Sequence, residues 1–481
     1  MMKDNLIYIT VSILILIIGI FLADDYLGDP SIYYIYSKNI AEGFFLNFNK
    51  GEFSSGATSP LWALILSIPF LFSTKVIYAK IFSILVAILS HIFFLYFLNR
   101  YSKLIVFNLA LFCTVSYYTL INGIMSYETS LLLIFIPLMI DSILKNKRLL
   151  FFISICLLPL VRPDALVISI MGFGVFIISE NEKNKSLIYF ILSLLPFIIY
   201  ISYSYFLTGT YSSSSYCRSF ALAEEANSIF GFKYSLATVF SFVSFPAAFL
   251  LLFQNKKPKT GIDKLTLVSL IIYLIVFSFI KPIANHPERY LAPIFILLSI
   301  NAVVLINGYA HKLRNSYKII FLTITILSST MIIIKVVKYN NSYTSSEVLE
   351  YDLAQFINEI EKNSKILTYE VQSRYFIEDR HEVISMDGII DGKVAPYLEN
   401  SELIQFINRY KPDYWIANDA VNYRNYLSNS KLNIVYNDNS IKVGESIIID
   451  NVKFELVVVN QEDLGQLANW KKIYKIEYLD K

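Results

Sequence analysis

Over the first 337 positions apolar residues come in long blocks separated by short polar breaks, and beyond them the pattern changes. A bilayer core about 30 Å thick takes roughly 20 apolar residues as a helix, whereas runs of about 10 to 14 more often dip in or lie at the interface. By that measure spans are expected at Asn5 to Ala23, Val76 to Leu98, Leu104 to Ile121, Thr129 to Leu144, Leu149 to Val161, Ala165 to Ser179, Leu187 to Leu207, Leu236 to Phe253, Leu265 to Ile280, Tyr290 to Ile306 and Ile319 to Val337. Leu149 to Val161 and Ala165 to Ser179 are shorter than a comfortable crossing. The run Pro60 to Ser73 is left over. It is short, holds Pro60 and Pro69 and follows a long polar segment, so it is expected to enter the membrane without crossing. From Lys338 onward, short alternating stretches such as Ile366 to Val371, Glu382 to Met386 and Asp413 to Ala417 read as strands, and Ser401 to Tyr410 reads as a helix. The expected division is therefore a transmembrane module over 1–337, with an outer loop at 24–75 carrying juxtamembrane helices, and a soluble α/β domain over 338–481.

Charge orients this arrangement. With Pro60 to Ser73 not crossing and the N-terminus inside, the inside loops carry Arg100, Lys103, Lys145, Lys147, Arg148, Lys183, Lys185, Lys256, Lys257, Lys259, Lys264, Lys312, Arg314 and Lys318. The outside loops carry only Arg162, Arg218, Lys233, Lys281 and Arg289. A crossing at Pro60 to Ser73 would reverse every later loop, against the positive-inside rule. The expectation is thus an α-helical polytopic membrane protein of about eleven transmembrane helices. Its N-terminus is cytoplasmic and its C-terminal domain extracytoplasmic.

Composition agrees that lipid is the main solvent: 55% of the 481 residues are hydrophobic and only 16% are charged, against about a quarter charged in soluble domains. The first apolar run ends in Ala-Asp-Asp rather than a small-residue cleavage site, so it reads as a retained span. A net charge of +3 with scattered Lys and Arg excludes a nucleic-acid partner. Three cysteines, two inside apolar runs, form neither a disulfide framework nor a zinc site.

Ionisable residues at membrane depth are expensive and by default mark function. In the expected topology Asp24, Asp25, Asp29, Glu128, Arg162, Asp164, His286, Glu288 and Arg289 all reach the outer face. Carboxylates gathered with a few cations suit a phosphate-bearing lipid. A sugar on polyprenyl phosphate is already activated. The enzyme then needs a carboxylate to deprotonate the acceptor hydroxyl, and cations or a metal to hold the departing phosphate. One inverting displacement suffices.

The stretch Asp24-Asp25-Tyr-Leu-Gly-Asp29 with Tyr36, Asn39 and Gly43, followed by Asn47-Phe-Asn49-Lys-Gly51-Glu52 and Gly56-Ala-Thr58-Ser59-Pro60-Leu-Trp62, resembles the first outer loop of the type C (GT-C) glycosyltransferases. It is most similar to the bacterial branch of arabinofuranosyltransferase-like and dolichyl-phosphate-mannose mannosyltransferase-like proteins. Gly123-Ile-Met-Ser-Tyr-Glu128-Thr-Ser-Leu, Arg162-Pro-Asp164, Arg289-Tyr-Leu-Ala-Pro293 and Met386-Asp387-Gly388-Ile389-Ile390-Asp391 resemble later segments of that branch, in its order.

The resemblance implies a cell-envelope glycan-biosynthesis enzyme of the cytoplasmic (inner) membrane. It would be a hexosyl- or pentosyltransferase with a polyprenyl-phosphate-linked sugar as donor and a glycan, lipid or protein as acceptor. Asp24, Asp25 or Asp29 would be the base. Glu128 falls at a position that in some relatives helps bind the acceptor or a metal, so a divalent cation (Mg, Mn or Ca) stays open as cofactor. Arg289, Arg162 and Arg218 are the phosphate candidates, with Asp164, His286 and Glu288 secondary.

Plainer readings stand beside these. Glu128 and Arg162 can pair as structural glue, Arg289 can snorkel to headgroups, and Asp387 and Asp391 can close turns beside glycines. The competing functions are a transporter or flippase, which should show repeated halves and broken helices, and a polymerase of lipid-linked glycans.

Overall fold

The computed structural model describes residues 2–23, 30–179, 182–208, 261–279, 287–306 and 315–479, the last stretch with short breaks of which the longest is 419–430. The chain divides into two compact units, one of residues 1–25, 59–200 and 227–342, the other of 26–58, 201–226 and 343–481.

The first unit is helical. Its elements are α1 (Met2–Ala23), α3 (Pro60–Phe70), α4 (Val76–Tyr101), α5 (Ile105–Ile124), α6 (Thr129–Lys145), α7 (Arg148–Val161), α8 (Leu166–Ser179), most of α9 (Lys183–Thr208), α10 (Ile262–Phe279), α11 (Pro287–Ile306) and the start of α12 (Asn315–Asn358); α2 (Pro30–Ala41) belongs to the other unit. A helix coincides with every expected span except Leu236 to Phe253, which lies outside the described residues. α3 has 11 residues, about 16 Å of rise and too short to cross. Among the described residues four helices are long and apolar enough to span a membrane by length and composition alone: those containing Val76–Tyr101, Ile105–Ile124, Lys183–Phe206 and Lys318–Val337.

Burial sorts these helices. α5 and α11 pack on each other, with Tyr118 stacked on Phe295 at 4.0 Å between ring centres, and from Leu291 to Ala302 α11 is buried all round. α9 and α12 instead expose Ile188, Ile191, Ile199, Ile320, Ile326 and Ile333. A helix apolar on every side needs neighbours or lipid on every side; α5 and α11 have the first, and α9 and α12 require the second. The α5–α6 hairpin is tight at its turn, since a methyl group on Gly123 would lie 2.0 Å from Ser130 Oγ.

The second unit is α/β. Its six-stranded sheet runs β4-β3-β5-β8-β7-β6, from β3 (Lys365–Thr368), β4 (Glu382–Ser385), β5 (Tyr414–Asn418), β6 (Ser446–Ile449), β7 (Val452–Leu464) and β8 (Leu467–Tyr478). β4, β3 and β5 are parallel, and the rest pair antiparallel. Trp415 and Tyr474 stack at 5.4 Å in its core, beneath Leu403, Phe406 and Ile407 of α13 (Leu403–Tyr410).

Residues 26–58, expected with the membrane module, cluster with this unit. The reason is specific pairing. α2 buries Tyr33, Tyr34 and Tyr36, and Asn39 donates to the carbonyls of Asn47 and Phe48 to hold the small hairpin of β1 (Asn47–Asn49) and β2 (Glu52–Phe53). The Asn49 side chain then donates to Val383 O at 2.9 Å and accepts from Val383 N–H at 3.0 Å. It thereby satisfies the edge strand β4 as a neighbouring strand would, one way proteins cover an open edge. Gly56 is needed for close approach, because a Cβ there would stand 2.7 Å from Ile390 Cα. Asp379 accepts from Lys50 at 2.6 Å, Arg374 at 3.1 Å and Lys38 at 3.5 Å.

Candidate active site

Within the helical unit, three turns deliver charged groups to one buried point. α5 ends at Ile124, and the chain reverses through Ser126 and Tyr127 so that Glu128 stands at the N-cap of α6. α7 ends before Arg162, where Pro163 cannot continue the helical hydrogen bonding and opens a short 3-10 turn, Pro163–Ala165. Arg289 sits in the first turn of α11, two residues after Pro287. A proline in a helix's first turn loses no hydrogen bond.

The carboxylate of Glu128 is held from both sides. Arg162 donates from Nη1 to Oε1 at 2.6 Å. Arg289 donates from Nε to Oε1 at 3.2 Å and from Nη2 to Oε2 at 3.1 Å, a fork on both oxygens. Arg162 also donates from Nε to Asp164 Oδ1 at 2.9 Å, and Tyr273 fixes that turn by donating to the Asp164 carbonyl at 2.9 Å. Each guanidinium lies on a tyrosine ring that neighbours another member of the cluster in sequence, Tyr127 beside Glu128 and Tyr290 beside Arg289. Arg289 is 4.3 Å from the Tyr127 ring centre and Arg162 is 5.2 Å from that of Tyr290. Glu128 is 1% exposed, Arg162 6% and Arg289 9%.

Electrostatics assign capabilities. Burial alone would raise the Glu128 carboxyl, but the adjacent charges of Arg289 and Arg162 prevail and hold it low, at about 2. Such a carboxylate is a poor general base. Burial dominates at Asp164 and raises its carboxyl above the ordinary value despite Arg162. With all four groups ionised the cluster is neutral. Among the described residues no group of three or more His, Cys, Asp or Glu could hold a metal ion.

No family model matches the chain, and a search of curated proteins finds no match. Among solved structures it is similar to ArnT from Cupriavidus metallidurans, determined bound to undecaprenyl phosphate. The TM-score is 0.57 at 10% identity over 98% of both chains. The chain shares the ArnT fold. Its helical unit is accordingly that of a helical membrane protein.

In this ArnT-like fold four expected residues come together: Glu128, Arg162, Asp164 and Arg289. The pairing of Glu128 with Arg162 is present, and Arg289 turns inward to the same carboxylate instead of snorkelling outward. Asp24, Asp25, Asp29, Arg218 and His286 lie outside the described residues, as do Asp387, Asp391 and the side chain of Glu288. Tyr127, Tyr290 and Tyr273 were not singled out by sequence. Tyr127 and Tyr290 had a usable signal, being direct neighbours of Glu128 and Arg289. Tyr273 lies 109 residues from its partner Asp164 and had none.

Proposed function

We propose that the chain is a glycosyltransferase of the inner membrane that moves a sugar from a polyprenyl-phosphate donor to a glycan, lipid or protein acceptor on the extracytoplasmic side, with inversion. The observation that carries this reading is the pair of guanidiniums gathered on one buried carboxylate within the fold of ArnT, a protein solved with undecaprenyl phosphate. In this reading an Asp of the loop after α1, among Asp24, Asp25 and Asp29, takes the proton from an acceptor hydroxyl. The hydroxyl oxygen forms its bond to the anomeric carbon as the bond from that carbon to the phosphate oxygen breaks. The electron pair leaves with the polyprenyl phosphate, whose charge Arg162 and Arg289 meet, with Arg218 assisting.

Glu128 serves as the anchor that sets the spacing of the two cations, and the low value of its carboxyl keeps it from competing as base. The contacts of Asn49 with Val383 and of Lys50 with Asp379 support a first outer loop and C-terminal domain on the same membrane side, as this chemistry requires.

The test is transfer of radiolabelled sugar from polyprenyl-phosphate donors to membrane acceptors by purified protein, comparing wild type with Asp24→Asn, Asp25→Asn and Asp29→Asn. Loss of the base should lower transfer by about a hundredfold or more. Undiminished transfer in all three removes the assignment.

A further inference from the structure

The short helix α3, at 11 residues too short for a crossing, contributes no side chain to the ion cluster, yet Trp62 in its first turn is fully buried. Its place is set locally. Ser59 caps the helix by accepting from Trp62 N–H at 3.3 Å, and Pro60 occupies the first helical position. The indole Nε1–H then donates to the carbonyl of Ser126 at 2.6 Å.

Ser126 is the residue at which the α5–α6 turn reverses. Tyr127 N–H donates to Asn122 O at 2.9 Å and Ser126 N–H to Gly123 O at 3.3 Å, the two bonds of a Schellman helix end. That motif places its pivotal residue in the left-handed region, where glycine is favoured; here a serine holds it, with φ of 62°. The strained residue is fully buried, and the next two residues are Tyr127, beneath Arg289, and Glu128, between both guanidiniums. Strain of this kind persists when surrounding contacts over-determine it. The indole supplies one such contact.

We infer that Trp62 is a positioning residue: its N–H bond to the Ser126 carbonyl holds the α5–α6 turn in the conformation that presents Glu128 to Arg162 and Arg289, and so sets the distance between the two cations. This rests on the reading of that cluster as the lipid-phosphate site. It also gives α3 a task, that of carrying one hydrogen-bond donor to one carbonyl.

The test is binding of undecaprenyl phosphate to the purified full chain in detergent, for wild type, Trp62→Phe, Ser126→Gly and the double variant. Trp62→Phe keeps an aromatic ring and removes the donor, and should weaken binding about tenfold, the worth of one hydrogen bond. Ser126→Gly should bind as wild type, since glycine enters the left-handed region freely. In the double variant most of the lost affinity should return, because the turn no longer needs the indole. Trp62→Phe binding like wild type overturns the inference. So does a loss that Ser126→Gly fails to rescue, which would mark Trp62 as packing only. A wild-type protein with no affinity for undecaprenyl phosphate overturns the phosphate-site reading itself, and this inference with it.

Discussion

Glu128 and Asp379 are both carboxylates gripped by several cations, and the two clusters differ chiefly in their exposure to water. Glu128, with Arg162 and Arg289, has a side chain 1% exposed among membrane helices; Asp379, with Lys38, Lys50 and Arg374, has one 34% exposed in the α/β unit. Water and salt screen the second, so its ties are weak individually and useful for pinning 26–58 to the sheet. The first has no such screening. Desolvating three ions is justified structurally only by near-complete pairing, and replacement by apolar residues would often be neutral or better for stability. A cluster retained under those terms points to chemistry.

The comparison can be broken most easily at the buried site. Glu128→Gln leaves two guanidiniums buried against each other and should destabilise the protein by about 3–5 kcal/mol, seen as a large fall in melting temperature in detergent. Arg289→Lys keeps the charge and loses the fork, and should cost about 2 kcal/mol by the same measurement. Asp379→Asn should cost only about 1 kcal/mol or less at neutral pH.

That smallest effect has a pH signature. Burial opposes ionisation of Asp379, but the Lys50 hydrogen bond and the charges of Lys38 and Arg374 prevail and hold its carboxyl at about 2, below the ordinary aspartate value of about 3.9. A depressed carboxyl contributes its full stability above the unfolded value and loses it as pH falls through the folded one. The difference between wild type and Asp379→Asn should therefore shrink between about pH 4 and about pH 2. A difference that persists unchanged at pH 2 would show that Asp379 acts through packing.

The same contrast explains what could be read from sequence. Helices of the membrane unit were legible because their apolar blocks are local, and the shortness of α3 because its apolar run is short and holds two prolines. The gathering of Glu128, Arg162 and Asp164 was partly legible, since all lie between spans on one face. Arg289, 161 positions from Glu128, could be placed on that face but not aimed. The strands β3, β4 and β5 showed through their alternation. The β7–β8 hairpin did not, because Lys453, Glu455, Lys475 and Glu477 make it read as polar; in the fold Lys453 and Glu477 pair across it at 2.9 Å. The docking of 26–58 on the sheet was hidden for a different reason. It depends on long-range meetings such as that of the Asn49 amide with a backbone 334 residues away, and nothing in the local pattern records them.

The central claim is that the two guanidiniums on Glu128 receive a lipid-borne phosphate. Native mass spectrometry of the protein with equal amounts of undecaprenyl phosphate and undecaprenol tests it most directly. Wild type should retain the phosphate form in preference to the alcohol, and Arg162→Gln with Arg289→Gln should take both alike. Equal retention by wild type, or an undiminished preference in the double variant, would contradict the account.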